Sequence, residues 1–84
     1  MKYSVTIKKS ALKSLEKIHE PDYSKIKHAI LGLADNPRPS GCKKLKGRLG
    51  YRIRQGDYRI IYDIFDRVLI VDVIALGHRK DIYE

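Results

Sequence analysis

A chain of 84 residues with 43% apolar side chains can build one small core and little more, so the sequence reads as a single domain spanning residues 1–84. Eighteen Lys and Arg against ten Asp and Glu leave a formal charge of +8, which points to acidic partners: nucleic acid, an anionic membrane or an acidic protein. The one cysteine, Cys42, excludes an internal disulfide framework and a Cys-rich zinc site, and no signal peptide, transmembrane run or CaaX ending is visible; a reducing, cytoplasmic setting is expected.

Tyr3, Val5 and Ile7 alternate with Lys2, Ser4 and Thr6, which predicts an opening half-buried strand. From Ser10, placed as an N-cap, Leu12, Leu15 and Ile18 recur at helical spacing until His19-Glu20. Pro21 suits the first turn of a second helix whose apolar stripe is Tyr23, Ile26, Ile30 and Leu33, and the Pro- and Gly-containing run from Asp35 to Gly41 ends it as a loop. Helices so close in sequence should form an antiparallel hairpin that covers a sheet.

Three strands are predicted next, Tyr51 to Arg54, Tyr58 to Phe65 and Val68 to Leu76, the last two joined around Asp66-Arg67. Gly56-Asp57 is a two-residue hairpin signal. It sets Gln55 opposite Tyr58, Arg54 opposite Arg59 and Arg52 opposite Ile61, with all three arginines on one face. Parity through the second turn sets Tyr62 opposite Val71 and Ile60 opposite Val73. One face then holds Tyr51, Ile53, Tyr58, Ile60, Tyr62, Ile64, Leu69, Val71, Val73 and Ala75. The other holds Arg52, Arg54, Arg59, Asp63 and Asp72 among Ile61, Ile70 and Ile74. The fold class is α+β: an N-terminal strand, a helical hairpin packed on an antiparallel sheet, and a short C-terminal tail, Gly77 to Glu84, on or near the basic face.

Like charges directly opposed across two strands destabilise a sheet. Arg54 and Arg59 in that arrangement therefore point to a bound anion, a phosphate backbone above all; the competing account is a solvated face with weak ion pairs to Asp63 and Asp72. Lys43, Lys44, Lys46 and Arg48 form a basic run next to this site. His78 has no second histidine or carboxylate at ligand spacing, so neither a metal nor another cofactor is expected; an ordinary surface histidine and a catalytic one are equally compatible with the sequence. Tyr51, Tyr58 and Tyr62 share parity with the isoleucines and read as core, and Cys42 as inert.

Taken together, Lys44-Leu45-Lys46-Gly47, Tyr51-Arg52-Ile53-Arg54, Tyr58-Arg59-Ile60-Ile61-Tyr62 and Gly77-His78-Arg79-Lys80-Asp81-Ile82-Tyr83, following a strand and a helical hairpin, resemble the RelE/ParE superfamily of toxins from toxin–antitoxin pairs. The RelE branch is the nearer likeness. The resemblance implies a ribosome-dependent endonuclease that cuts messenger RNA in the decoding site by in-line attack of a ribose 2′-hydroxyl. It also implies an acidic RelB-like antitoxin as partner. Carried over by position, Arg52, Arg54, Arg59, Arg79 and Tyr83 are the catalytic set, with His78 as a possible addition, and Lys43, Lys44, Lys46 and Arg48 contact RNA or ribosome. Relatives often carry lysine where this chain has Arg52 and Arg54. Because arginine stays charged at any working pH, a general base would then be Tyr83, His78 or a ribosomal group. A ParE-like gyrase inhibitor without nuclease activity and a non-catalytic nucleic-acid-binding module are the alternatives.

Overall fold

The computed structural model describes residues 2–47, 50–78 and 80. In chain order these form β1 (Ser4–Ile7), α1 (Lys9–Glu16), α2 (Asp22–Gly32), β2 (Lys43–Lys44), β3 (Tyr51–Gln55), β4 (Tyr58–Phe65) and β5 (Ile70–His78). The strands make one five-stranded sheet in the order β1-β5-β4-β3-β2. It is an α+β fold, as expected, but the sheet is mixed. The opening strand lies parallel to β5, which the chain reaches only after both helices and the other three strands, and Lys43–Lys44 add a fifth, antiparallel edge strand where only a basic loop was expected.

Both helices cover the face that carries Ile53, Ile60, Tyr62, Val71 and Val73. The α2 stripe is as expected: Ile26, Ile30 and Leu33 are fully buried with Tyr23 beside them. The α1 stripe is rotated. Ala11 and Leu15 are buried while Leu12 is 41% exposed, because the small Ala11 is on the side that packs against β5; the helix also starts at Lys9 rather than after a Ser10 cap. At the start of α2 no N-cap side chain serves. Instead the Glu20 carboxylate accepts from the Ser24 amide at 2.9 Å and from the Ser24 hydroxyl at 2.6 Å, which holds its pKa below the usual range.

The β4–β5 connection departs from the sequence reading. Four residues, Asp66 to Leu69, form the loop, with Leu69 at φ 55°, so Tyr62 pairs with Val73 and Ile64 with Val71. A bulge at Ile61/Tyr62 then shifts the register again: Ile61 faces Ala75 and Ile60 faces Leu76. Leu76 therefore takes the core position expected for Ala75 and is 5% exposed.

The loop from Leu33 to Cys42 is fixed from below by Tyr62. This side chain is fully buried and its hydroxyl donates to the Pro37 carbonyl at 2.7 Å; burial, then the neighbouring Cys42, push its pKa up. The next residue, Arg38, donates through both terminal nitrogens to Asp66 at 3.2 and 2.9 Å and lies 5.3 Å from the centre of the Tyr51 ring, which stacks on Tyr62. Tyr3 donates to the same Asp66 at 2.6 Å. Arg38 foremost and Tyr3 next hold the Asp66 carboxyl below its ordinary value, while that bond raises Tyr3.

Two outcomes follow for stability. Tyr62→Phe leaves the Pro37 carbonyl without its donor and should cost about 1–3 kcal/mol in chemical denaturation, with little change in fold. The carboxyls of Asp66 and Glu20 are both depressed in the folded chain, so their contribution is complete above the unfolded values of about 4 and fades as pH falls below them. Melting temperature should therefore drop on the acid side of pH 4, and Asp66→Asn should flatten that limb while leaving the neutral-to-alkaline region parallel to the parent.

Candidate nucleic-acid interface

The basic site is built on the β3–β4 hairpin. Gly56 at φ 60° supplies the left-handed residue that a two-residue turn needs at its first position, and Asp57 completes it. The register is then forced: Gln55 pairs with Tyr58, Arg54 with Arg59 and Arg52 with Ile61. All three arginines lie on the face away from the helices. Arg54 is exposed, whereas Arg52 and Arg59 are half-buried, so each guanidinium is held on a partly desolvated stem.

The acidic residues of this face sit at the other end of the strands. Asp63 pairs directly with Asp72, and Asp72 is engaged by Lys8 Nζ at 3.1 Å and by the Thr6 hydroxyl at 2.9 Å. Asp72 is thus committed to the β1 side of the sheet. The face is polarised, cationic at the hairpin and acidic toward β1.

His78 is placed elsewhere. It pairs with Tyr58 at the end of β5 and meets that ring edge-on at 5.6 Å, on the helix side of the sheet and beside Ser14 and Lys17. The bulge at Ile61/Tyr62 is what sets this parity. The Lys80 amide donates to His78 Nδ1 at 3.2 Å, so that nitrogen acts as an acceptor. The structure therefore separates His78 by the thickness of the sheet from the arginines it was grouped with. Arg79, Tyr83 and Arg48 lie outside the described residues.

Of the basic run, Lys43 and Lys44 are exposed on β2, with Lys43 opposite Arg52 and Lys44 opposite Tyr51, and Lys46 is exposed in the following turn. Gly50 closes that turn at φ 124°, where an added Cβ would stand 3.0 Å from Asp63 Oδ1 and 3.3 Å from Leu45 Cδ1. Only glycine fits this approach of the loop to β4. The tyrosines are core, as expected, with Tyr62 buried and Tyr51 stacked on it at 6.1 Å.

Two features had no sequence signal. Arg38 reaches Asp66 across 28 residues of chain. A cleft of about 540 Å³ opens where the chain enters β2, between the end of α2, the loop at Pro39 to Gly41 and the edge of β3, and both Arg52 and Arg54 line it. No group of three or more His, Cys, Asp or Glu side chains able to hold a metal occurs among the described residues, and no helix there is long and apolar enough to cross a membrane.

Comparison with known proteins gives a consistent set of relatives. A family model described as the ParE toxin of the type II toxin–antitoxin system parDE matches residues 5–83. A Methanocaldococcus jannaschii protein described as toxin RelE1 is 36% identical over 81 residues, 89% of this chain and 90% of that one. The archaeal RelE–RelB complex from Pyrococcus horikoshii contains a chain that matches with a TM-score of 0.85 at 28% identity, over 98% of this chain and 100% of that chain. The toxin–antitoxin complex RelBE2 from Mycobacterium tuberculosis gives 0.83 at 26%, over 96% and 95%.

The opposed pair yields a direct test. Arg54→Gln removes a like-charge cross-strand contact at an exposed position, so stability without anions should stay within about 0.5 kcal/mol of the parent or rise slightly. The parent should gain melting temperature on titration with sulfate through binding to the folded form, and the variant should lose most of that gain. A destabilised variant that keeps the full sulfate response would assign Arg54 to a structural ion pair instead.

Proposed function

Because this chain belongs to the RelE/ParE superfamily of toxins from type II toxin–antitoxin systems, we propose that it acts as a ribosome-dependent messenger-RNA endonuclease. The observation that carries this reading is the pairing of Arg54 with Arg59 across the Gly56-Asp57 turn, with Arg52 on the same face. Guanidinium groups held in register present forked donors to phosphate oxygens and stay charged throughout a reaction.

The step is an in-line transfer within the message. The ribose 2′-oxygen gives its proton to a base and bonds to the neighbouring phosphorus; the bond to the 5′-oxygen breaks as that oxygen takes up a proton. A 2′,3′-cyclic phosphate and a 5′-hydroxyl result. Arg52, Arg54 and Arg59 neutralise the phosphorane, whose extra charge exists only in the transition state. Arg79 is carried over from the family pattern to the same task and Tyr83 to the proton transfer, the base being Tyr83 or a group of the ribosome. Arginine cannot supply it, and His78 projects from the opposite side of the sheet. Lys44 and Lys46, with Lys43 and Arg48, supply positive charge for ribosomal RNA.

Work at the ribosome places the protein in the cytoplasm. Its solved relatives are a RelE–RelB complex from P. horikoshii and a toxin–antitoxin complex from M. tuberculosis. By extension, this basic chain takes an acidic RelB-like antitoxin that covers the same charge. The match to the ParE family model favours one other reading, a ParE-like gyrase inhibitor that uses the same basic fold without cutting RNA.

A translation assay with purified components separates the two: message cut only in the presence of ribosomes is expected, and blocked supercoiling with intact message would establish the gyrase reading. Within that assay, Arg79→Ala should lower single-turnover cleavage by roughly two orders of magnitude, the scale for losing one transition-state donor. Ribosome binding should change far less. Normal cleavage by the variant would remove Arg79 from the catalytic set.

A further inference from the structure

The cleft beside β3 shares two of its walls with the arginine hairpin and has a different chemistry. Its rim is cationic, formed by Lys43, Arg52 and Arg54, and its floor is apolar, formed by Ala29, Leu33 and Ile53; no carboxylate lines it among the described residues. At about 540 Å³ it falls within the range of about 300–1,000 Å³ that small-molecule sites occupy. Two glycines keep it open. Gly32 at the end of α2 and Gly41, at φ 91°, would each place an added Cβ in free space. Neither glycine puts a side chain into the cleft.

The cleft exists because β2 is only two residues long. Lys43 pairs with Arg52, but the chain joins the sheet only after passing the stretch of β3 at Ile53 and Arg54, where the Cys42 amide instead donates to the Pro39 carbonyl at 3.0 Å. Side chains two apart on a strand are about 6.8 Å apart, so Arg52 and Arg54 space two positive charges along one edge of the cleft at a distance suited to successive phosphates of an extended single strand. Apolar lining with cations along one side is the chemistry that takes a nucleobase and holds its flanking phosphates.

We propose that this cleft is a nucleotide subsite: it receives one base of single-stranded RNA adjacent to the phosphate held by the arginine hairpin, and so contributes sequence preference. The inference rests on reading that hairpin as a phosphate site, but not on cleavage. An acidic peptide with an apolar anchor is the competing occupant. The nucleotide is favoured by the two arginines common to cleft and hairpin, which put a base in the cleft next to a phosphate at the hairpin.

The test titrates the purified full chain with the 3′,5′-bisphosphates of adenosine, guanosine, cytidine and uridine and, separately, with inorganic phosphate. At least one nucleotide should bind tenfold or more tightly than phosphate, and the four should differ among themselves. Gly32→Leu fills the cleft from an exposed helical position with open space at its Cβ. It should abolish the advantage of the nucleotides and leave phosphate affinity and melting temperature unchanged. Equal binding of nucleotides and phosphate would overturn the proposal, as would a Gly32→Leu variant that keeps the nucleotide preference. Reduced affinity of Gly32→Leu for the antitoxin, with nucleotide binding intact, would assign the cleft to the protein partner and overturn it too. A chain that binds nucleotides in this pattern yet cuts no message would refute the nuclease reading alone.

Discussion

One phenol oxygen joins the layers of this molecule. Tyr62 sits on the central strand β4 with its ring wholly buried under the helices, and its hydroxyl reaches the Pro37 carbonyl in the loop that follows α2. A buried carbonyl needs a donor, and a buried tyrosine needs an acceptor; each meets the other's requirement. The loop so fixed carries Arg38 onto the Tyr51 ring and Asp66, and then delivers Lys43–Lys44 to the sheet as β2. The edge of β3, its cleft and the basic rim all take their positions from that anchor.

The bulge at Ile61/Tyr62 has the opposite role, since it separates rather than joins. By shifting the register of β5 by one residue it sends Leu76 into the core and turns His78 toward Tyr58 on the helix side. The three arginines opposite hold their charge without exchanging protons at working pH.

Charge is distributed to match. Asp63 and Asp72 oppose each other on the same face as the arginines but nearer β1, where Lys8 and Thr6 engage Asp72. Two like-charge pairs of opposite sign on one face form a field gradient along the strands.

Local rules were enough for much of this. The Gly56-Asp57 turn fixed the Arg54–Arg59 register because a two-residue hairpin leaves no freedom in pairing, and the α2 stripe followed from periodicity because that helix buries one face only. The same patterns, with the charge balance and the ordered motifs, pointed to the toxin superfamily. Other features needed the folded chain. The four-residue loop at Asp66 to Leu69 puts a leucine at positive φ, which no turn signal marks, and the bulge adds an unpaired residue within an unbroken apolar run. Ala11 displaced Leu12 from the core because a neighbouring strand comes close, a constraint set by β5 from more than fifty residues away. The parallel pairing of β1, the reach of Arg38 to Asp66 and the cleft beside β3 all depend on residues brought together from distant segments. Periodicity is a property of one segment; register, edge and cavity belong to pairs of segments, and only the tertiary structure decides them.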